Sequence, residues 1–259
     1  AMHAICYDAV VLDQRPAAAD IRLLTVLWPD EGHAPRAGQF FTLRAWGAGE
    51  APFFSRPISV HSWDAARREL QFLYQIKGPG TQKLAALQTG GRCQVTGPMG
   101  NGFDAPALAA RWPRILAVGG GIGTAPLYQL TRELAAAGNP PDVCFGFTDA
   151  PYRTEVYRGA AKSLRVATDS GRAGVKGFVT QLYDPADYDG ILVCGPLPMM
   201  RAAARGAAAA GVPCLVSMEA RMACGIGACL GCTCKTTRGE AVSICKNGPV
   251  FEAGEVLTL

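Results

Sequence analysis

Long apolar runs are missing from this sequence. No stretch reaches eighteen uninterrupted apolar residues, so no membrane-spanning helix is expected. Runs of Lys or Arg are also missing, and the formal charge of +4 is too small to imply a nucleic-acid partner. Residues Ala1 to Asp20 lack a basic region followed by a long apolar block. A secretory signal is therefore not expected, and a cytoplasmic location is. Histidine is scarce: His3, His33 and His61 are scattered, and each is expected to be a surface or strand residue. No nucleophile–base arrangement accompanies them, so no acid–base catalytic residue is assigned. With 49% apolar and 18% charged residues, the 259-residue chain is globular and long enough for two domains with a small appendage.

Cysteine is present in excess. Ten occur, and Cys224, Cys229, Cys232, Cys234 and Cys245 crowd together, whereas Cys6, Cys93, Cys144, Cys194 and Cys214 are dispersed. A disulfide framework belongs to smaller, secreted chains, so the crowded cysteines point to metal. Their spacing, Cys224-x₄-Cys229-x₂-Cys232 with a later Cys245, matches the opening of a plant-type [2Fe–2S] loop. Gly225, Gly227 and Gly231 would let the backbone curl around the cluster and present N–H groups to sulfur. Structural zinc is the rival, although it favours paired knuckles and here there is one C-x₂-C. Cys234 is either a bystander or an alternative to Cys232.

Three segments follow from the patterning. Residues 1–104 alternate strand-like runs (Ile21–Trp28, Gln39–Arg44, Ile58–Ser62, Leu70–Ile76, Arg92–Thr96) with Gly/Pro turns. That spacing predicts an antiparallel β-barrel interrupted by one helix over Thr81–Gln88. Residues 105–216 alternate strands (Arg114–Val118, Val143–Phe147, Leu164–Thr168, Ile191–Cys194, Cys214–Ser217) with helices Ala125–Ala137 and Pro198–Ala210. This predicts a doubly wound parallel α/β domain with ligands at the carboxyl ends of its strands. Residues 217–259 hold the cysteines with little regular pattern. The whole is an α+β multidomain chain.

Two phosphate-compatible features lie in the first segment. Arg56-Pro57-Ile58-Ser59 offers a guanidinium and a hydroxyl at a strand start. Lys77-Gly78-Pro79-Gly80-Thr81 is a glycine turn between strand and helix. Alone, the first is also a surface arginine before a strand and the second an ordinary Gly-Pro turn with Thr81 as N-cap; together they suggest one flavin site. In the second segment, the run Gly119-Gly120-Gly121-Ile122-Gly123-Thr124 follows a strand and opens a helix, the context for a pyrophosphate, though it fits the dinucleotide fingerprint only in part. Cys194-Gly195-Pro196 ends another strand and would leave room for a nicotinamide ring to approach a flavin. Asp149 would take a ribose hydroxyl and repel a 2′-phosphate, favouring NAD over NADP, with Arg153 nearby counting against it.

The order of these motifs resembles the ferredoxin-reductase superfamily, and within it the electron-transfer subunits of NAD-dependent dihydroorotate dehydrogenases. The resemblance runs through Arg56–Ser59, Leu73-Tyr74-Gln75, Gly78–Thr81, Gly97–Phe103, Gly119–Pro126, Thr168–Gly171, Cys194–Pro196 and Ser217–Cys232, nearly the whole chain. It implies FAD held by Arg56, Pro57, Ile58, Ser59, Leu73, Tyr74, Gln75, Gly80 and Thr81. Gln75 stands where the family usually has arginine. It implies NAD⁺/NADH as co-substrate at Gly119, Gly120, Gly121, Gly123, Thr124, Cys194, Gly195 and Pro196. It implies a [2Fe–2S] cluster on Cys224, Cys229, Cys232 and Cys245, with Cys234 a bystander. The implied partner is an FMN-containing catalytic subunit that oxidises dihydroorotate in pyrimidine biosynthesis, in a heterotetramer. The alternative is a reductase component serving an oxygenase or a hydrogenase-type complex with the same cofactors.

Overall fold

The computed structural model describes residues 4–29, 32 and 34–258, so His3 and His33 lie outside the described residues. The first sheet is antiparallel and contains β1 (Ile5–Pro16), β2 (Ile21–Leu27), β3 (Phe40–Arg44), β4 (Arg56–Ser59), β5 (Ser62–Asp64), β6 (Glu69–Gln75) and β7 (Arg92–Met99). Its order is β4-β3-β7-β1-β2-β6-β5. β4 and β5 stand at opposite edges although only Val60 and His61 separate them in sequence. Val60 N–H bonds to the Gln39 carbonyl and His61 N–H to the Gln71 carbonyl, each at 2.9 Å. One short run thus joins both edges and closes the curled sheet into a barrel. The predicted strand Ile58–Ser62 is split at this closure.

Aromatic rings fill the barrel: Trp28 meets Phe41 edge-to-face at 5.1 Å, and Phe41 meets Phe72 at 5.6 Å. β1 is the longest strand and was not anticipated from the sequence. Its apolar run, Ala9–Leu12, is only four residues long between Asp8 and Asp13, and within the strand only Ala9 and Val11 are buried. The expected helix near Thr81 is α1 (Pro79–Ala85), begun by Pro79 in its first turn. A helix not foreseen, α2 (Ala105–Arg111), is capped by the Asp104 carboxylate accepting from the Ala107 N–H.

The second sheet is built from β8 (Ile115–Gly120), β9 (Asp142–Phe147), β10 (Ser163–Thr168), β11 (Val175–Lys176), β12 (Gly190–Cys194) and β13 (Cys214–Ser217), all parallel. α3 (Leu127–Ala136) follows β8 and α4 (Leu197–Ala209) follows β12. The order β11-β10-β9-β8-β12-β13 places the reversal of winding between β8 and β12. The crevice where such sheets take ligands therefore lies beside the carboxyl ends of these two strands. Elsewhere the connections are short 3₁₀ turns, such as Thr154–Gly159, in place of helices.

The cysteine segment has more regular structure than its sequence suggests. It forms a hairpin of β14 (Thr233–Lys235) and β15 (Ala241–Ser243), then α5 (Ile244–Asn247), β16 (Val250–Glu252) and α6 (Ala253–Val256). β16 pairs antiparallel with β13, placing Phe251 opposite Val216. The cysteine loop is thereby pinned to the edge of the parallel sheet. No helix among the described residues is long and apolar enough to cross a membrane.

Candidate functional site

Four cysteines of the loop stand as two pairs. Cys232 and Cys245 bring their sulfurs to 3.2 Å. Cys224 Sγ accepts from the Cys229 N–H at 3.4 Å. Further N–H groups point at the other sulfurs: Gly227 to Cys245 at 3.1 Å, Gly231 to Cys229 at 3.4 Å and Cys245 to Cys232 at 3.4 Å. Burial works against ionisation of Cys224, yet the amides of Cys229, Ile226 and Ala228 bring its thiol down to about 6. Gly225 and Gly227 adopt φ of +72° and +80°, the left-handed turns that aim these amides inward. Among the described residues, no three His, Cys, Asp or Glu side chains gather around a single ion position. Two pairs of thiols ringed by N–H donors fit a two-iron cluster, which takes two thiolates per iron. Cys234 sits on β14, paired with Val242 on β15, and burial raises its thiol.

Between the barrel and the parallel sheet runs a groove of about 250 Å³. Arg56, Pro57, Ile58 and Ser59 of β4 and Leu73, Tyr74 and Gln75 of β6 form one wall, with Lys77 and Thr81 at its end. Ile122, Ala125 and Pro126 face them, and Phe40, Met218, Glu219, Ala220, Met222 and Pro249 complete the lining. Arg56 donates to the Phe54 carbonyl at 2.6 Å, while its Nε is buried without a partner. A buried unpaired guanidinium donor fits an anionic group such as a pyrophosphate. Gly80 lies against Arg56; a Cβ there would come within 2.9 Å of the Arg56 Cδ and displace it. Gln75 donates to Asp20 at 2.5 Å, so its amide is partnered within the barrel. Apolar surroundings raise the Glu219 carboxyl, with Lys77 opposing.

A larger cavity of about 450 Å³ opens at the carboxyl ends of the parallel strands. Gly120 and Gly121, Phe147 and Thr148, Asp169, Phe178 to Thr180, Pro196 and Met199 line it. Gly121 has φ +54° and open space where a Cβ would be. The neighbouring glycines have a different job. A Cβ on Gly123 would meet the Gly195 Cα at 2.5 Å, and one on Gly119 would meet Phe145 at 2.8 Å. Gly123 thus lets the two switch-point turns pack against each other, and Gly119 leaves room for the Phe145 ring of β9. Cys194 is buried behind this contact, and burial, then Glu219, pushes its thiol up while Ser217 pulls it down.

Residues 219–257 match the family described as the iron–sulfur cluster binding domain of dihydroorotate dehydrogenase B. The "Dihydroorotate dehydrogenase B (NAD(+)), electron transfer subunit" of Clostridium acetobutylicum is 40% identical over 222 residues, 86% of this chain and 86% of that protein. The protein of the same description from Caldanaerobacter subterraneus subsp. tengcongensis is 36% identical over 254 residues, 96% of this chain and 97% of that one. The chain belongs to this family of electron transfer subunits. Among solved structures, that of an NADH-dependent reduced ferredoxin–NADP oxidoreductase aligns with a TM-score of 0.82 and 27% identity, covering 96% of this chain and 89% of that one. A ferredoxin reductase of carbazole 1,9a-dioxygenase shares the fold at a TM-score of 0.67 and 23% identity, covering 81% and 67%.

The structure of this family member places the sequence-predicted residues unevenly. Arg56, Pro57, Ile58, Ser59, Leu73, Tyr74, Gln75 and Thr81 all line the groove, with Gly80 directly behind Arg56. Of the nucleotide residues, Gly120, Gly121 and Pro196 line the larger cavity, whereas Gly119, Gly123, Thr124, Cys194 and Gly195 lie outside its lining. Asp149 does not line it either: its carboxylate pairs with Arg172 at 2.8 Å. Asp169 is the acid in that wall. Its signal was present in the motif Thr168–Gly171, but the carboxylate had no assigned role. Arg153 pairs weakly with Glu155 at 3.8 Å and does not line the cavity. His61, expected to be a surface or strand residue, is completely buried at the barrel closure. The roles of Met218, Glu219 and Met222 in the groove wall, and of Phe178 in the cavity, were not foreseen.

Proposed function

We propose that this chain takes electrons withdrawn from dihydroorotate by a separate FMN-containing subunit and delivers them as hydride to NAD⁺. It would hold a [2Fe–2S] cluster on Cys224, Cys229, Cys232 and Cys245, and FAD in the groove between barrel and sheet. A flavin supplies the exchange between single electrons and a hydride pair. The observation that carries the reading is contiguity. Gly121 lines the larger cavity and Ile122, next in the chain, lines the groove. At the other end Met222 lines the groove two residues before Cys224. Cavity, groove and cysteine loop are therefore neighbours along the chain.

The chain's own residues would then divide the work. Arg56 supplies the positive charge for the pyrophosphate, and Ser59 adds a hydroxyl on the same strand. The apolar walls, Leu73, Ile122 and Met222 among them, keep water from the flavin. Gly121 gives the nucleotide phosphates close access to the backbone, and Phe178 offers an apolar face at the cavity mouth. The loop carries two exposed apolar side chains, Ile226 at 60% and Leu230 at 65%, beside the cysteines. They make the cluster face the docking surface for the FMN subunit, where electrons must enter.

The test is the purified chain under anaerobic conditions. NADH should bleach its flavin absorbance, and dihydroorotate should not until the FMN subunit is added. Orotate formation by this chain alone would overturn the division of labour. Co-purification with a different flavoprotein or an oxygenase would instead favour a general reductase component.

A further inference from the structure

Four hydrogen bonds stitch the closing run of the barrel to the helix that follows the glycine turn. His61 Nδ1 lies 2.8 Å from the Ala125 carbonyl. A carbonyl only accepts, so Nδ1 carries the proton. Trp63 N–H donates to Gln129 Oε1 at 2.9 Å. Arg132 donates to Ser62 Oγ at 2.9 Å and to the Trp63 carbonyl at 3.1 Å. Ala125, Gln129 and Arg132 recur at helical spacing, so a single face of α3 and its lead-in turn meets the barrel.

His61 is the buried member of this seam. It is wholly shielded from solvent, its ring lies against Tyr128 at 5.0 Å, and its Nε2 has no partner. From the opposite side, Tyr157 donates to the Thr124 carbonyl at 2.6 Å and packs on Tyr128 at 5.2 Å. Burying a polar ring with one nitrogen unsatisfied is unfavourable, and an aliphatic side chain would fill the space without that cost. The imidazole contributes what an aliphatic residue cannot, a directed donor reaching a carbonyl of the other sheet's lead-in turn. That bond sits between the two ligand walls. Ser59, two residues before His61, lines the groove, and Gly121, four before Ala125, lines the nucleotide cavity. A slip at the seam therefore moves one wall against the other.

We propose that His61 is a positioning residue for hydride transfer, its bond to the Ala125 carbonyl setting the spacing between β4 and the glycine turn. This rests on the reading that the groove takes FAD and the cavity takes NAD. Hydride transfer requires reacting atoms roughly 3–3.5 Å apart, and a misplacement of about 1 Å can cost on the order of a hundredfold in rate.

The experiment compares His61→Leu, which removes the donor, with His61→Asn, whose side-chain amide can place an N–H where Nδ1 stands. Flavin bleaching by saturating NADH is followed by anaerobic stopped flow, with flavin content and melting temperature measured alongside. The Leu variant should keep its flavin and bleach at least roughly tenfold more slowly, and the Asn variant should return to within about threefold of wild type. A Leu variant as fast as wild type, or an Asn variant as slow as Leu, overturns the proposal. Should the Leu variant fail to fold or load flavin, His61→Asn and Gln129→Met decide. Asn near wild type with Gln129→Met slowed supports the seam; both at the wild-type rate, or Asn slowed, overturns it. If NADH fails to bleach the wild-type flavin, the nucleotide reading fails and takes this inference with it, an outcome distinct from equal rates in wild type and variants.

Discussion

Asn101 grips Val250 with both ends of its side-chain amide. Oδ1 accepts from the Val250 N–H at 3.2 Å, and Nδ2 donates to the carbonyls of Val250 at 3.0 Å and Asn247 at 2.9 Å. Asn101 leaves the barrel just after β7, and Val250 opens β16 five residues beyond Cys245. The clasp therefore ties the segment just after Cys245 to the barrel. Replacing Asn101 by Ala removes three hydrogen bonds, each worth about 0.5–1.5 kcal/mol net. The variant should melt at lower temperature and purify with less iron per chain. Asn101→Asp keeps the acceptor but sets a carboxylate oxygen against two carbonyls, so it should be no milder than Ala. Equal melting temperatures and iron contents would show that β13–β16 pairing alone anchors the loop.

Cys234→Ser should leave the visible absorbance and paramagnetic signal of the cluster intact, whereas Cys232→Ser should abolish them. The geometry behind this is direct: the Cys232 sulfur meets that of Cys245, while Cys234 lies on the hairpin strand opposite Val242. Cluster loss in the Cys234 variant, with retention in the Cys232 variant, would exchange the two ligands.

Local grouping of residues was legible in the sequence, and docking was not. Cys224, Cys229 and Cys232 announce themselves because their spacing is set by the chain itself. Arg56–Ser59 and Leu73–Gln75 are likewise single strands whose residues stay together in any barrel. Met218 and Glu219 simply follow β13, whereas Pro249 reaches the groove because β16 pairs with β13 and sets it against Met218. β16 is three residues long and carries no periodicity to read. Phe178 comes just before a 3₁₀ turn, with no helical pattern to assign it a face. His61 shows most clearly what a sequence hides. A lone histidine in a strand reads as ordinary, and only the closure of the barrel against α3 buries it.

Arg56→Ala should release flavin. The Arg56 Nε is a buried donor without a partner, on a residue that lines the groove where the pyrophosphate would lie. A charge-assisted hydrogen bond of this kind is worth about 1.5–3 kcal/mol, so the dissociation constant should rise roughly ten- to 150-fold. Fluorescence of free flavin after gel filtration reads it out, and full retention at nanomolar protein would remove Arg56 from the site. Arg56→Lys should recover only part of the loss, because an ammonium lacks the planar fork.

Asp169→Ala should relax the choice between NADH and NADPH. Asp169 lines the larger cavity at the strand ends, whereas Asp149 pairs with Arg172 and does not line it. A carboxylate in the ribose wall repels a 2′-phosphate and can accept from a 2′-hydroxyl. Its removal should raise the relative rate with NADPH by roughly tenfold, the equivalent of about 1.4 kcal/mol. The ratio of kcat/KM for the two nucleotides is the measurement. An unchanged ratio would place discrimination elsewhere in the cavity.

Acid should weaken the protein through His61. Burial holds its imidazole down at about 4 from an ordinary 6.5; the Ala125 bond opposes the drop, and the charges of Arg153 and Arg132 add to it. Between those values the unfolded chain binds a proton that the folded chain refuses, so stability falls as pH falls. The contribution is fully present above pH 6.5 and is lost on approach to pH 4, a change of about 3 kcal/mol at most and about 2 kcal/mol between pH 7 and 5. Acid also strains the cluster, but it does so in wild type and variant alike. The informative quantity is therefore the difference between wild type and His61→Asn in the urea midpoint at pH 7 and at pH 5. Asparagine does not titrate, so the variant should lose less stability over that interval than wild type. Parallel losses would mean that His61 takes up its proton in the folded chain at an ordinary pH, which a fully buried imidazole beside two arginines should not do.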